Sequence, residues 1–142
     1  MNAPKLNEQV CYALYSTSRA ITQAYKGLLE PLNLTYPQYV VMMALWDKEA
    51  VMISEIADTT GLSNATLSPL LKRLESNGFI ERRSTDKDER QKQLVLTQSG
   101  KALGKKAKKA SEIALCATGL SEEEAVKLMS LCESIKNQLQ GS

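Results

Sequence analysis

Apolar residues recur at three- and four-residue steps along most of the chain, the spacing of a one-sided helix. Between Leu6 and Leu29 they are Val10, Leu14, Ile21, Tyr25 and Leu28. Asn33 and Thr35 interrupt this helix. Thr35 carries the hydroxyl of an N-cap, and Tyr36 and Pro37 follow in the first turn, where proline is tolerated. The apolar run Tyr39 to Trp46 continues as a buried helix. Ser54 to Thr60 reads as a short helix, followed by Gly61, which suits a left-handed turn. Ser63 caps a second helix, Asn64 to Asn77, that ends at Gly78. Its apolar face is Leu67, Leu70, Leu71 and Leu74. Two short helices around a tight turn are the helix-turn-helix outline. Pro69 disturbs it: a proline inside a helix removes one hydrogen bond at a cost of about 3 kcal/mol and allows a kink toward the groove-facing end.

After Gly78 the rhythm changes. Phe79 to Arg83 and Gln93 to Leu96 read as two short strands, separated by the charged loop Ser84 to Lys92. That loop is too long for a two-residue hairpin. Strand, loop and strand behind a helix-turn-helix make a wing. Thr97 caps a long basic helix to about Cys116, and Gly119 closes it. Ser121 and Glu124 then form a capping box for a last helix. Its apolar stripe is Ala125, Leu128, Met129, Cys132, Ile135 and Leu139. The fold class expected is mainly α with a small β-wing.

Composition narrows the function. The 142 residues include no histidine, so the commonest general base and metal ligand is missing and His-assisted nucleophiles are excluded. The three cysteines are too few and too dispersed for a disulfide framework or a zinc site, and no cofactor is expected. No stretch approaches the ~20 apolar residues of a membrane span. The polar start, Met1 to Gln9, lacks the core of a secretory signal, so a cytoplasmic setting is expected. Net charge is +2 but uneven: residues 72–109 hold twelve Lys/Arg against five Asp/Glu. A basic block in a near-neutral chain points to an anionic partner, nucleic acid first. For Lys101, Lys105, Lys106, Lys108 and Lys109 a solvated helix face explains the charge equally well.

Small polar groups at the start of the second helix can meet base edges in the major groove. These are Asn64, Ala65, Thr66 and Ser68; asparagine suits adenine, and alanine or a threonine methyl suits thymine. Ser63 is read as an N-cap only. Lys72 and Arg73, one turn on, suit phosphates. Arg82, Arg83, Lys87, Arg90 and Lys92 line the strands and wing, where an arginine at the tip can enter the minor groove. Asp88 is expected to orient Arg90 through an ion pair worth about 0–1 kcal/mol.

Asp88-Glu89-Arg90 followed by Leu94-Val95-Leu96-Thr97 resembles the wing signature of MarR regulators. Leu70-Leu71-Lys72-Arg73-Leu74-Glu75 resembles the end of their recognition helix. The resemblance spans nearly the whole chain. It implies a homodimer built from the first and last helices (1–34 and 98–142), a winged helix-turn-helix lobe over 35–97, and repression or activation at a palindromic operator.

Cys11 falls in the first two turns of helix one, where the positive end of a helix favours a thiolate. A buried, inert thiol is the commoner fate of a free cysteine. All five tyrosines, however, lie within the first 39 residues, and phenols can donate hydrogen bonds to a thiolate. Tyr15 is one turn from Cys11. Tyr25 is about 21 Å away along the same helix, so it reaches only the Cys11 of a second copy whose first helix crosses antiparallel.

Val10 to Tyr15, Tyr25 and Leu34 to Tyr39 together resemble the OhrR branch of the MarR family, sensors of organic hydroperoxides. That resemblance implies that Cys11 is the peroxide-reactive thiol, with Tyr25 and Tyr36 bonding it from the other subunit. Two thiols compete to resolve the oxidised cysteine. Cys132 fits the core stripe of the last helix. Cys116 sits at a helix end, in a stretch similar to the region of the second cysteine in two-cysteine members. Cys116 is therefore expected to form an intersubunit disulfide with Cys11. Two other readings stand beside this one. A small phenolic ligand could release DNA from a pocket between the dimer helices and the DNA lobe. A thiol peroxidase would share the cysteine but has no need of a wing or a basic block.

Overall fold

The computed structural model describes the backbone of residues 1–48, 50–85 and 88–141; the side chains of 85 and 88–91 lie outside the description. A short 3-10 turn, Leu6–Glu8, precedes α1 (Val10–Leu29). Gln9 between them is extended, and its side-chain amide donates to the Lys5 carbonyl. The helix expected from Leu6 thus begins at Val10. A second 3-10 turn, Glu30–Leu32, ends on Asn33 in the left-handed region, which asparagine tolerates better than most residues. Thr35 then caps α2 (Tyr36–Asp47) in a reciprocal box. The Gln38 N–H donates to Thr35 Oγ1 at 3.3 Å, and the Thr35 N–H donates to Gln38 Oε1 at 2.9 Å. The box gives a partner to the side-chain oxygen of Gln38, which is buried.

The central segment is β1 (Ala50–Met52), α3 (Ile53–Thr60), α4 (Asn64–Ser76), β2 (Ile80–Thr85) and β3 (Asp88–Leu96). Gly61, at φ +72°, makes the sharp turn between α3 and α4 that a side chain would strain. Helix α4 runs unbroken through Pro69, which lies on its exposed side. There the missing N–H withdraws a bond only from the solvent-facing wall. The strands form an antiparallel sheet in the order β1-β3-β2, with Val51 opposite Leu94 and Ile80 opposite Leu96. Two expectations are corrected. Strand β1 adds a partner the sequence did not suggest, and the strands extend into the supposed loop, pairing out to Thr85 and Asp88. Ladder bonds need only backbone groups, so a hairpin of polar residues carries no apolar alternation to betray it.

The core lies where α2, α3, α4 and the sheet meet; Met42, Leu45, Ile56, Leu67, Leu71, Leu74, Ile80 and Leu94 are fully buried. Thr97 caps α5 (Gln98–Ala117) by accepting from the Gly100 N–H at 3.0 Å. The same residue ties α5 to the end of α4. Its hydroxyl donates to the Gly78 carbonyl at 2.6 Å, and its N–H to the Phe79 carbonyl at 3.1 Å. Trp46 Nε1 donates to the Gly100 carbonyl at 2.9 Å and brings the end of α2 to the same point.

Helix α6 (Glu122–Gln140) starts at the expected Ser121–Glu124 box. It buries none of its residues within the chain. Val126, Leu128, Met129, Leu131, Ile135 and Leu139 are exposed, as are Val10, Tyr12, Leu14 and Tyr15 of α1. Cys132 is half-buried within the chain, on the stripe that the sequence assigns to a core. The stripe is real, but the described residues leave most of it exposed.

Gly100 has no room for a side chain: an added Cβ would run into the Phe79 carbonyl oxygen. Gly100→Ala is expected to destabilise the fold by about 1–3 kcal/mol, the range for overpacking, measured by urea unfolding.

Candidate functional site

Helix α4 buries Leu67, Leu70, Leu71 and Leu74, which turns Asn64, Ala65, Thr66 and Ser68 outward. All four are exposed at the N-terminal half of the helix, as groove reading requires. Ser63 is the cap. Its Oγ accepts from the Thr66 N–H at 3.2 Å and donates to Thr66 Oγ1 at 3.1 Å. One lone pair of Thr66 is thereby occupied, and its methyl remains for apolar contact. Lys72 and Arg73 are exposed one turn later. Arg73 borders a polar cleft lined also by Glu30, Asn33, Thr35 and Gln38.

The wing arginines separate into two kinds. Arg83 is exposed and donates through Nη2 to Glu81 Oε2 at 3.1 Å on the same face of β2. Arg82 turns inward, with its Nε 3.5 Å from Glu75 Oε2 of α4. Lys92 Nζ donates to Ser84 Oγ at 3.0 Å across the ribbon. Lys87 lies outside the described residues, as do the side chains of Arg90 and Asp88, and with them the proposed Asp88–Arg90 pair.

Cys11 is exposed in the first turn of α1. Tyr15, one turn on, is exposed and carries the Arg19 guanidinium 5.7 Å from its ring centroid. Tyr25 and Tyr36 lie together, with ring centroids 5.3 Å apart. Tyr39, not singled out from the sequence, completes the cluster at 5.2 Å from Tyr25 and 6.0 Å from Tyr36. Its signal was available: Tyr36 and Tyr39 are three residues apart on one helix and so share a face. Trp46 extends the array, 6.3 Å from Tyr39. Helix α1 is continuous from Val10 to Leu29, so the cluster stands about 21 Å from its own Cys11. Cys116 is exposed beside the end of α5, where its carbonyl accepts from the Gly119 N–H at 3.1 Å.

Burial raises the pKa of Tyr36, with the neighbouring Tyr25 adding to it. Burial also pushes Tyr39 up to about 12, against a smaller opposing hydrogen bond from Ser111 of α5. Both shifts favour the neutral phenol, the form that keeps its O–H as a donor. Behind them, between α2 and α5, lies an open cleft of about 610 Å³ lined by Tyr39, Met43, Trp46, Lys105, Lys108 and Ser111, among others. Among the described residues no His/Cys/Asp/Glu group could hold a metal ion. No helix of the described residues is long and apolar enough to cross a membrane.

The MarR family profile matches residues 34–92. The chain is 37% identical over 136 residues to the organic hydroperoxide resistance transcriptional regulator of Bacillus subtilis, covering 96% of this chain and 90% of that one. Among solved structures it is similar to reduced AbfR bound to DNA, with a TM-score of 0.80 at 30% identity, covering 96% and 93% of the two chains. AbfR is a Staphylococcus epidermidis protein. Its disulfide-formed structure matches with a TM-score of 0.68 at 29% identity, covering 96% and 90%.

Alkaline titration separates Tyr39 from ordinary tyrosines. Its neutral form is favoured in the fold, so the stability it contributes is complete below the usual pKa of 10 and is lost as pH rises toward about 12. Tyrosinate absorbance is expected to show a late step near pH 12 that Tyr39→Phe removes.

Proposed function

The chain belongs to the MarR family and is a DNA-binding transcriptional regulator, not an enzyme; on that footing we propose that it is a homodimeric repressor that senses organic hydroperoxides through Cys11. One observation carries the reading. An exposed cysteine opens α1 and a cluster of tyrosines packs at its other end, on a helix that leaves apolar residues uncovered. Two copies of α1 crossing antiparallel, with α6 covering its stripe on the partner, would bring Tyr25 and Tyr36 of one subunit to Cys11 of the other. Tyr15 would support the thiolate from the same helix. The likeness to the Bacillus subtilis regulator favours the same signal.

In the proposed chemistry the Cys11 thiolate attacks the terminal peroxide oxygen. The O–O bond breaks, the thiolate becomes a sulfenic acid, and the alkoxide leaves as an alcohol after taking a proton. The thiol of Cys116 from the other subunit then attacks the sulfenic sulfur, forming the disulfide and releasing water. Cys116 is the better placed resolver because it is exposed at a helix end, whereas Cys132 lies mid-helix. The reduced dimer binds the palindromic operator. Asn64, Ala65, Thr66 and Ser68 read bases, Lys72 and Arg73 hold phosphates, and Arg83, Lys87 and Arg90 serve the wing, with Asp88 orienting Arg90. The disulfide tilts the dimer helices and misplaces the recognition helices.

A second reading has its own observation, the cleft between α2 and α5. Its aromatic wall and lysine rim suit a small phenolic acid. Such a ligand would release DNA without any change at Cys11.

The deciding measurement is operator binding by the reduced protein at fixed salt, before and after one equivalent of an organic hydroperoxide. Wild type is expected to lose binding and to regain it with dithiothreitol, while Cys11→Ser stays bound. Binding that survives peroxide would discard the thiol switch and leave the ligand-released regulator. An oxidised dimer joined only through Cys132 would overturn the role of Cys116. For the reading helix, Asn64→Ala is expected to cost about 1–3 kcal/mol on the preferred duplex and to relax the choice of base at one position per half-site, seen by binding to single-base variants.

A further inference from the structure

We propose that Arg82 is a positioning residue that sets the wing against the recognition helix by way of Glu75. The inference rests on the reading of the chain as a DNA-binding regulator. Along β2 the side chains alternate: Ile80 is buried, Glu81 exposed, Arg82 half-buried and Arg83 exposed. Arg82 stands opposite Leu94, which is fully buried, and Ile80 stands opposite Leu96. Residues facing each other across an antiparallel ladder share a face of the sheet. Arg82 therefore belongs to the inner face, under α4, and Arg83 to the solvent.

The Arg82 side chain is 28% exposed and that of Glu75 43%, and the Nε–Oε2 separation is 3.5 Å. Nε and Nη2 of Arg82 are buried without a hydrogen bond. The contact is thus an ion pair, with charge rather than bond geometry holding it. As a stabiliser this is a poor arrangement: burying guanidinium nitrogens unbonded is costly, and an apolar side chain of similar volume would hold the sheet to the helix better. What the pair does provide is direction. Chain connectivity and the Thr97 bonds to the Gly78 and Phe79 carbonyls hold the junction of α4 and β2 at the turn itself. Glu75 and Arg82 add a tie further out, between the last turn of α4 and the root of the ribbon. A tie away from the turn sets the angle of the ribbon, which contacts at the turn alone control less. Arg82 acts on DNA through that angle and not by touching phosphate.

The test uses the full-length reduced protein and a duplex selected by it from a randomised pool. Glu75→Gln, Arg82→Met and the double variant are compared at several salt concentrations, with footprinting. Each single variant is expected to bind about tenfold more weakly, and the double variant no more weakly than either one, because the two changes remove one coupling. Protection at the outer edges of the footprint, where the wings lie, is expected to vanish while central protection persists. The salt dependence is expected to stay that of wild type, and Arg82→Lys to restore part of the outer protection. A salt slope reduced by about one in Arg82→Met alone would make Arg82 a phosphate contact and overturn the proposal. Uniform weakening of the whole footprint with a lowered unfolding midpoint, or an unchanged footprint in Glu75→Gln, would overturn it too. If the wild-type protein selects no duplex, the DNA-binding reading itself falls and takes this inference with it.

Discussion

The structure turns on one crowded point, where the backbone of Gly100 passes close against the carbonyl of Phe79. Three elements meet there. Thr97 bonds the carbonyls of Gly78 and Phe79 at the exit of α4, and Trp46 reaches from the end of α2 to the carbonyl of Gly100. Because the approach is backbone against backbone, it has little slack. A rotation of α5 cannot be absorbed by a side chain changing rotamer; it must be passed to α4 or α2. That is the mechanical condition for a signal received on the long helices to be felt at α4, the proposed reading helix.

The tyrosine cluster lies on this route. Tyr25 belongs to α1, Tyr36 and Tyr39 to α2, and Ser111 to α5, so the phenols join α1 to the two long elements that meet at Trp46. Burial shifts Tyr36 and Tyr39 further toward the neutral form. A neutral phenol can give its hydrogen to an anion without bringing a second negative charge beside it, which an ionised carboxylate could not do.

Much of this was legible in the sequence because helix ends are written in local chemistry. Thr35, Ser63, Thr97 and Ser121 each accept the bond their position implied, and Gly61 takes the left-handed turn. The strands were harder. β1 is only Ala50–Met52, too short for alternation to register, and the outer ribbon is polar on both faces. The stripe holding Cys132 shows a different limit: periodicity reports that a face is apolar, not what covers it. Likewise, Arg82 and Arg83 look equivalent as neighbouring arginines, and only the pleat and the register with Leu94 send them to opposite faces.

Helix α6 carries an apolar stripe but buries nothing within its own chain. In the proposed dimer, its order then comes from association instead of from internal packing. Stability gained by association grows with the logarithm of the partner's concentration. The number of copies a cell maintains thus becomes a thermodynamic variable of the protein itself, and expression level and folding are no longer separate quantities.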